Sequence, residues 1–598
     1  MYTSLKQALL DLEKNGMLKR VYQEVDPNLE MAAIAQAAYA AQGPALLFEK
    51  VKGSRFSAVC NLFGTEKRTQ FLFRHTIEST KTAVQFKSNP IDFFKTPSPA
   101  KMIQAAKAGI SSLPKRVSAH HMKHFQECAL SDLPQIKCWP MDGGAFLTLP
   151  QVASRPSENS SIMATNVGMY RIQISGNDYI LNKECGLHYQ IKRDIARHHQ
   201  KALEENRPLK VSIFLGGPPA HTMAAIMHMT ETLSELIFAG MLSGRRFRYF
   251  IHNGYIVSAD ADFCILGEVA KGLKPEGPFG DHVGYYSGCH DFPYLKVYKV
   301  LCKKDAIYPF TVVGRPPQED TSFGQFIHQI TKPMVPASLP GVCAVHAVDA
   351  AGVHPLCLAL GSESFKPFDK DREPMELLKT ANALLGFNQV SLTKYLMIAA
   401  KEDAPNLDVN HVGAFFAHML ERIHFNRDLH FQTSTTVDTL DYTGSSLNHG
   451  SKLVLVAAGS PCRTLRNNAD DLLSLNLPKG FDGVKVVMEG ILAIQGAGLV
   501  QNLAIALENW EYRENYPWIS IVDKLNDIKN FDDFLWITFT RSDPAKDVSG
   551  VSPQFCHKHF TIASPMIVDA RIKPHHQKPL ERPLDVEKRA QQIWESIQ

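Results

Sequence analysis

Neither sign of charge dominates this sequence. Its 64 basic and 60 acidic residues leave a formal charge of +4, too balanced to make nucleic acid or an anionic membrane the main partner. No uninterrupted apolar run approaches the ~18 residues that cross a bilayer. Eleven cysteines are scattered from Cys60 to Cys556 without a C-x-x-C pair. That pattern fits the reduced thiols of a cytoplasmic protein better than a disulfide framework or a zinc site. Residues 1–10 look like the start of an amphipathic helix, with acids following at Asp11 and Glu13. A charged n-region and an apolar h-region are both missing, so secretion is not expected. What is present is bulk: 598 residues, 44% hydrophobic and 21% charged, enough for roughly three to four domains with full cores.

The most informative stretch is Lys274-Pro-Glu-Gly-Pro-Phe-Gly-Asp-His282. It separates two carboxylates, Glu276 and Asp281, by a Pro-Phe spacer with glycine on each side. Neither acid reads as part of a helix face or an alternating strand. Such a loop holds two acids at a set separation, because proline fixes one backbone angle and glycine opens others. Two close carboxylates repel, so one is expected to keep its proton near neutral pH and act as a donor. The plain alternative is a turn with two solvated acids.

Upstream lie Thr165-Asn-Val-Gly-Met-Tyr-Arg171, then His188, then Ser234-Glu235-Leu-Ile-Phe-Ala-Gly240. Asn166, His188 and Glu235 form a mixed oxygen and nitrogen set that suits Mg²⁺ or Mn²⁺ better than a thiolate-loving metal. Met163, Val167, Met169, Ile172 and Ile174 alternate as in a strand, and Arg171 offers a planar fork of donors for a carboxylate. Singly, Asn166 reads equally as a turn residue, His188 as one of 24 histidines and Glu235 as a solvated helix position.

Together these segments resemble the UbiD family of decarboxylases. So do Gly43-Pro-Ala-Leu-Leu-Phe-Glu49, Asn61-Leu-Phe-Gly64, Asp132-Leu-Pro134, Asp142-Gly-Gly144, Val211–Pro219 and Gly314-Arg-Pro-Pro-Gln-Glu319, which follow in the family's order. The resemblance implies an α/β (α+β) fold: an N-terminal α/β domain, a split β-barrel that binds flavin, and a C-terminal α/β domain. It implies prenylated FMN, supplied by a separate flavin prenyltransferase, with Met169, Tyr170, Arg171, His188 and Lys394 at the cofactor. It further implies Mn²⁺ (or Mg²⁺) on Asn166, His188 and Glu235, with K⁺ nearby. Arg171, Glu276 and Asp281 become the working trio: Arg171 orients the substrate carboxylate, Glu276 holds Arg171, and Asp281 gives the proton after CO₂ leaves. An aspartate at 281 points to the quinone-pathway branch, hence to a polyprenylated hydroxybenzoate or dihydroxynaphthoate. It also implies a homo-oligomer with at most peripheral membrane association. A small phenolic or heteroaromatic acid is the alternative substrate, and a flavin-holding scaffold without catalysis the remote one. His282 is expected to fill a turn rather than tune Asp281.

Along the chain, residues 1–115 read as α/β and 116–318 as the barrel, with strands at Met169–Ile174, Val211–Leu215, Phe247–Ile251 and Tyr294–Val300. Residues 319–340 read as a helical connector. Beyond it the sequence repeats: a strand, a polar turn, an apolar helix and closing strands occur in both 341–465 and 478–580. The alternative is two unrelated βαβ units. Residues 581–598 form a helical tail.

Overall fold

Apolar runs of five to eight residues, separated by glycine turns and amphipathic helices, set the layers of this protein. The computed structural model describes residues 1–88, 98–189, 194–227, 234–331, 339–365 and 372–597. The described chain falls into two compact units. The first contains residues up to Asp281, the chain from Tyr285 through the helix Glu319–Thr331, and the tail from Pro579. The second contains His282–Gly284 and the chain from Leu339 to Lys578.

The first unit opens with a four-stranded sheet in the order Leu18–Val25, Ala45–Val51, Ser57–Cys60 and Ile307–Pro309. The last of these strands comes from beyond the barrel, so the expected domains 1–115 and 116–318 share one sheet. The tail helix Leu584–Ile597 packs on the helix Glu30–Ala40, where Arg589 meets Glu30.

The barrel is a curled nine-stranded antiparallel sheet. Its spine is the ribbon of Phe263–Glu276 against His290–Lys303, paired from Phe263 opposite Cys302 to Glu276 opposite His290 with register shifts between Leu266 and Gly267 and between Val269 and Leu273. Glu276 is therefore the last residue of a long strand, which corrects its assignment to a free loop; cross-strand pairing overrides the local proline and glycine. The expected strand Met169–Ile174 is also broken. Asn166–Gly168 pairs with Gln151–Ser154, and Ile172–Gln173 pairs with Glu184–Leu187 and with Phe146–Leu147. Met169, Tyr170 and Arg171 bridge between the two segments. That change of partner releases Arg171 from a ladder and turns its side chain toward the end of the ribbon.

In the second unit two five-stranded sheets have the same order. One runs Val342–Ala347, Leu356–Gly361, Tyr395–Ala400, His449–Ala457, Leu429–Thr436; the other runs Phe481–Met488, Ile491–Gly496, Trp518–Val522, His559–Asp569, Val548–Cys556. Each has three parallel strands at the centre and antiparallel edges. The central strands Leu356–Gly361, Tyr395–Ala400 and Trp518–Val522 are buried along their whole length, as parallel strands covered on both faces must be. The helix Phe531–Thr540 is capped by Asn530, whose side chain accepts from the Asp533 amide at 2.9 Å. Its counterpart Val412–Arg422 has no side-chain cap. Residues 332–338 of the expected connector lie outside the described residues; its helix belongs to the first unit.

Candidate active site

The loop after Glu276 is held by its backbone. Gln173 Oε1 accepts from the Gly277 amide at 2.9 Å, and Asn177 Nδ2 donates to the Gly277 carbonyl at 2.7 Å. The Gly143 amide donates to the Pro278 carbonyl at 2.8 Å. Asp142 accepts from the Gly280 amide at 2.8 Å and from the amides of Cys138 and Trp139 at 3.1 and 2.9 Å. Burial pushes the Asp142 carboxyl up to about 6 against the pull of those three donors. A Cβ on Gly280 would stand 2.0 Å from Trp139, and one on Gly143 would stand 2.1 Å from the Gly277 carbonyl. The Asp142-Gly-Gly144 motif thus exists to pin the acidic loop, and no residue larger than glycine fits at either contact.

On this frame Arg171 brings the two acids together. Its Nε and Nη2 donate to the two oxygens of Glu276, each at 2.8 Å, and Nη1 donates to Asp281 Oδ2 at 2.5 Å. Nη2 also donates to Ser287 Oγ at 3.2 Å, and the guanidinium lies 4.7 Å from the centre of the Phe279 ring. His188 Nδ1 stands 3.2 Å from Glu276 Oε2. The Glu276 side chain is sealed, at 0% exposure, whereas Arg171 and Asp281 keep 10% and 11%. Burial alone would raise the Glu276 carboxyl, but the Arg171 charge and the hydrogen bonds from His188 and Arg171 bring it down to about 2. The bidentate guanidinium outweighs burial and keeps Glu276 ionised. Burial, with the Arg171 charge, also lowers His188, so its ring is neutral near pH 7. One cation and two ionised acids would leave this cluster at −1. Of the two acids, Asp281 is the one with an exposed edge.

Asn166 and Glu235 meet elsewhere in the same unit. Glu235 begins the helix Glu235–Ser243, behind the N-cap Ser234, whose Oγ accepts from the Leu236 amide. Ser234 Oγ also donates to the Thr165 carbonyl at 2.5 Å, and Glu235 Oε2 accepts from the Val167 amide at 2.7 Å. Both residues are buried. The Asn166 side-chain amide has a buried atom, assigned as Nδ2, with no partner. An amide's oxygen and nitrogen exchange by a flip, so this end can present oxygen. A carboxylate at a buried helix start and an amide at the start of the strand Asn166–Gly168 are hard donors that fit Mg²⁺ or Mn²⁺. The contacts place His188 on Glu276 and not on Glu235; with Nδ1 held by a carboxylate, Nε2 is its remaining donor, an arrangement common for metal-bound imidazole.

Tyr170 packs into one core with Ile172 and Leu187, and Met169 lies against the other. Lys394 belongs to the second unit. It is 1% exposed, ion-paired to Asp441 at 2.7 Å, and donates to Thr443 Oγ1 at 3.2 Å. Ser287, Phe279 and the pinning role of Asp142 were not anticipated. The only signal for Ser287 was its place in the returning half of the loop.

Comparison with known proteins places the chain. Profiles described as the N-terminal, Rift-related and C-terminal domains of 3-octaprenyl-4-hydroxybenzoate carboxy-lyase match residues 9–86, 112–316 and 321–457. It belongs to the UbiD family and is a carboxy-lyase of that type. An uncharacterized protein of Chlamydia trachomatis is 35% identical over 590 residues, covering 97% of this chain and 96% of its own. A Chlamydia pneumoniae protein, named as one of the subunits of a 4-hydroxybenzoate decarboxylase, is 35% identical over 591 residues, 96% of this chain and 95% of its own. Among solved structures, the vanillic acid decarboxylase of Sedimentibacter hydroxybenzoicus, in closed form, aligns with a TM-score of 0.63 at 21% identity, over 78% of this chain and 95% of that one. HmfF of Pelotomaculum thermopropionicum aligns at 0.59 and 21%, over 77% and 95%. The second repeat, 478–580, lies outside all three profile matches.

Proposed function

We propose that this protein removes the carboxylate of a hydroxyaryl acid with the help of prenylated FMN. The observation that carries the reading is the unequal pair on Arg171: Glu276 sealed and ionised, Asp281 with an open edge. When bound, prenylated FMN supplies the low-energy electron sink that amino-acid side chains lack. Asn166 and Glu235, with His188 Nε2, would hold a divalent ion that offsets the charge of the cofactor phosphate, Mn²⁺ being the first choice and K⁺ its companion.

The chain's own residues divide the remaining work. Arg171 neutralises and orients the substrate carboxylate with the part of its fork not committed to Glu276. Glu276 keeps the guanidinium in register through two bonds of equal length, with the carboxylate–imidazole contact to His188 behind it. Asp281 holds a proton and delivers it to the carbon that has lost CO₂; Glu276 cannot, being sealed and ionised. Ser287 and Phe279 fix the edge and face of Arg171, and the clamped loop keeps Asp281 from drifting, since a misplacement of about 1 Å can cost ~10²-fold in rate.

The first reading of the substrate is a polyprenylated hydroxybenzoate or the dihydroxynaphthoate counterpart, in keeping with the description of all three matching profiles. An untailed acid is the second, favoured by the name of the Chlamydia pneumoniae relative. Co-expression with a flavin prenyltransferase, followed by assay of CO₂ release from tailed and untailed acids, decides between them; no release from either overturns both. Asp281→Asn is expected to lower turnover by ~10²–10⁴ while the flavin spectrum persists. Loss of the flavin would show that Asp281 serves binding instead.

A further inference from the structure

His282 follows Asp281 in sequence but belongs to the second unit. There a ring nitrogen of His282, a ring nitrogen of His354 and a carboxylate oxygen of Asp438 all lie within 4.8 Å of one another. The two imidazole rings stand 5.8 Å apart at 70°, edge to face. His354 Nδ1 meets Asp438 Oδ2 directly, and Asp438 Oδ1 accepts from the Leu440 amide at 2.9 Å. Burial would raise the Asp438 carboxyl, yet the His354 charge and hydrogen bond, with His282 behind them, lower it. Asp438, at the base of the cluster, is buried.

We infer that His282, His354 and Asp438 form a binding site for a divalent transition-metal ion of the zinc class, separate from the Asn166–Glu235 pair. Two imidazoles and one carboxylate are the donors such ions prefer over Mg²⁺ or Ca²⁺, and three protein ligands leave a position open for a water or a substrate oxygen. Ligands about 2.0–2.2 Å from zinc stand roughly 3.3 Å apart in a tetrahedron, which the spread of these atoms accommodates once His354 and Asp438 separate slightly. Lys394 is ion-paired with Asp441, and Lys452 donates to the carbonyls of Ser391 and Thr393, each at 2.7 Å.

Two further features are explained by a site here. Val353, just before His354, has φ +71°, a conformation that is costly for a β-branched residue and persists where the surroundings impose it. It aims the His354 ring at Asp438, 84 residues away. The His282 turn is held from the other side: Trp536 Nε1, on the second repeat's helix Phe531–Thr540, donates to the Val283 carbonyl at 2.8 Å. Val283 Cγ1 also lies 3.4 Å from where a Cβ on Gly352 would be. The second repeat thus fixes one ligand of a site whose other two ligands the first repeat provides.

The test uses the full chain, stripped by chelator and titrated with Co²⁺ while the visible spectrum is followed. A four-coordinate nitrogen and oxygen site gives an intense band, and a six-coordinate oxygen site a weak one. The intense band should saturate at one equivalent and vanish in His282→Ala, His354→Ala and Asp438→Ala. It should survive in Glu235→Gln. Zn²⁺ should displace the band and raise the melting temperature of the unsubstituted chain but not of the three variants. Absence of the band in the unsubstituted chain overturns the site, as does its persistence in every variant that still melts cooperatively. The decarboxylase reading stands or falls separately, on Asp281.

Discussion

The two repeats of the second unit share a sheet order and differ at the ends of their strands. Counting from the first residue of the middle strand, the fourth residue is Ile398 in one repeat and Ile521 in the other. Ile398 pairs with Val456 and Ile521 with Asp569. Asp569 anchors a network: Arg571 donates to it at 2.8 Å and also to the Gly498 carbonyl at 2.9 Å, while Lys573 bridges to Asp547 at 3.2 Å. At the matching place the first repeat has Val456, whose amide donates to the Asp428 carbonyl at 3.2 Å; the Asp428 carboxylate is taken by its neighbour Arg427 at 2.6 Å, and further polar groups sit on Lys394–Asp441 and His354–Asp438. Matching hydrophobic patterns suffice for matching sheets. Polar chemistry at strand ends is free to diverge, because it is solved by side chains and not by the ladder.

Exchanging residues between the repeats tests their likeness where it is weakest. Val456→Asp puts the second repeat's carboxylate in the first, beside Asp428, which already holds Arg427; the cost should be about 4–5 kcal/mol, read as a lowered denaturant midpoint. Lys394→Met leaves Asp441 buried with Thr443 as its side-chain hydrogen-bond partner among the described residues and should cost about 3 kcal/mol. Asp569→Val, the reverse exchange, leaves Arg571 two backbone carbonyls and Lys573 its other acid, so about 1–2 kcal/mol is expected. A loss equal to that of Val456→Asp would mean that the repeats are not equivalent at this position.

A smaller effect belongs to the first unit and bears on the contrast between a sealed acid and an open one. The folded Glu276 carboxyl, at about 2, lies below its ordinary value near 4.5. Its contribution to stability is therefore present above about pH 4.5 and is lost as pH falls toward 2. Acid unfolding should begin in that window, and Glu276→Gln should flatten it, as a melt series between pH 5 and pH 2 would show.

Much of the site was legible in the sequence. Glu276 and Asp281 stand beside proline and glycine, whose backbone demands are local and readable, and Arg171 stood out as a planar fork of donors for a carboxylate. The repeat was legible too, since buried parallel strands must be written as continuous apolar runs. Ser287, the Asp142 clamp and the His354–Asp438 pair were not. Each joins residues 84 to 138 positions apart, or 116 for Arg171 and Ser287, and nothing in the local pattern of either partner announces the other.

What the amino-acid order determined alone was the alphabet of this protein: where the continuous apolar runs lie, which acids stand beside glycine, and that one α/β pattern recurs. Folding decided the charges. Glu276 is an anion because a guanidinium brought 105 residues along the chain grips both its oxygens at 2.8 Å with water excluded. An ionisation set by burial and distance exists only once the chain has closed around it.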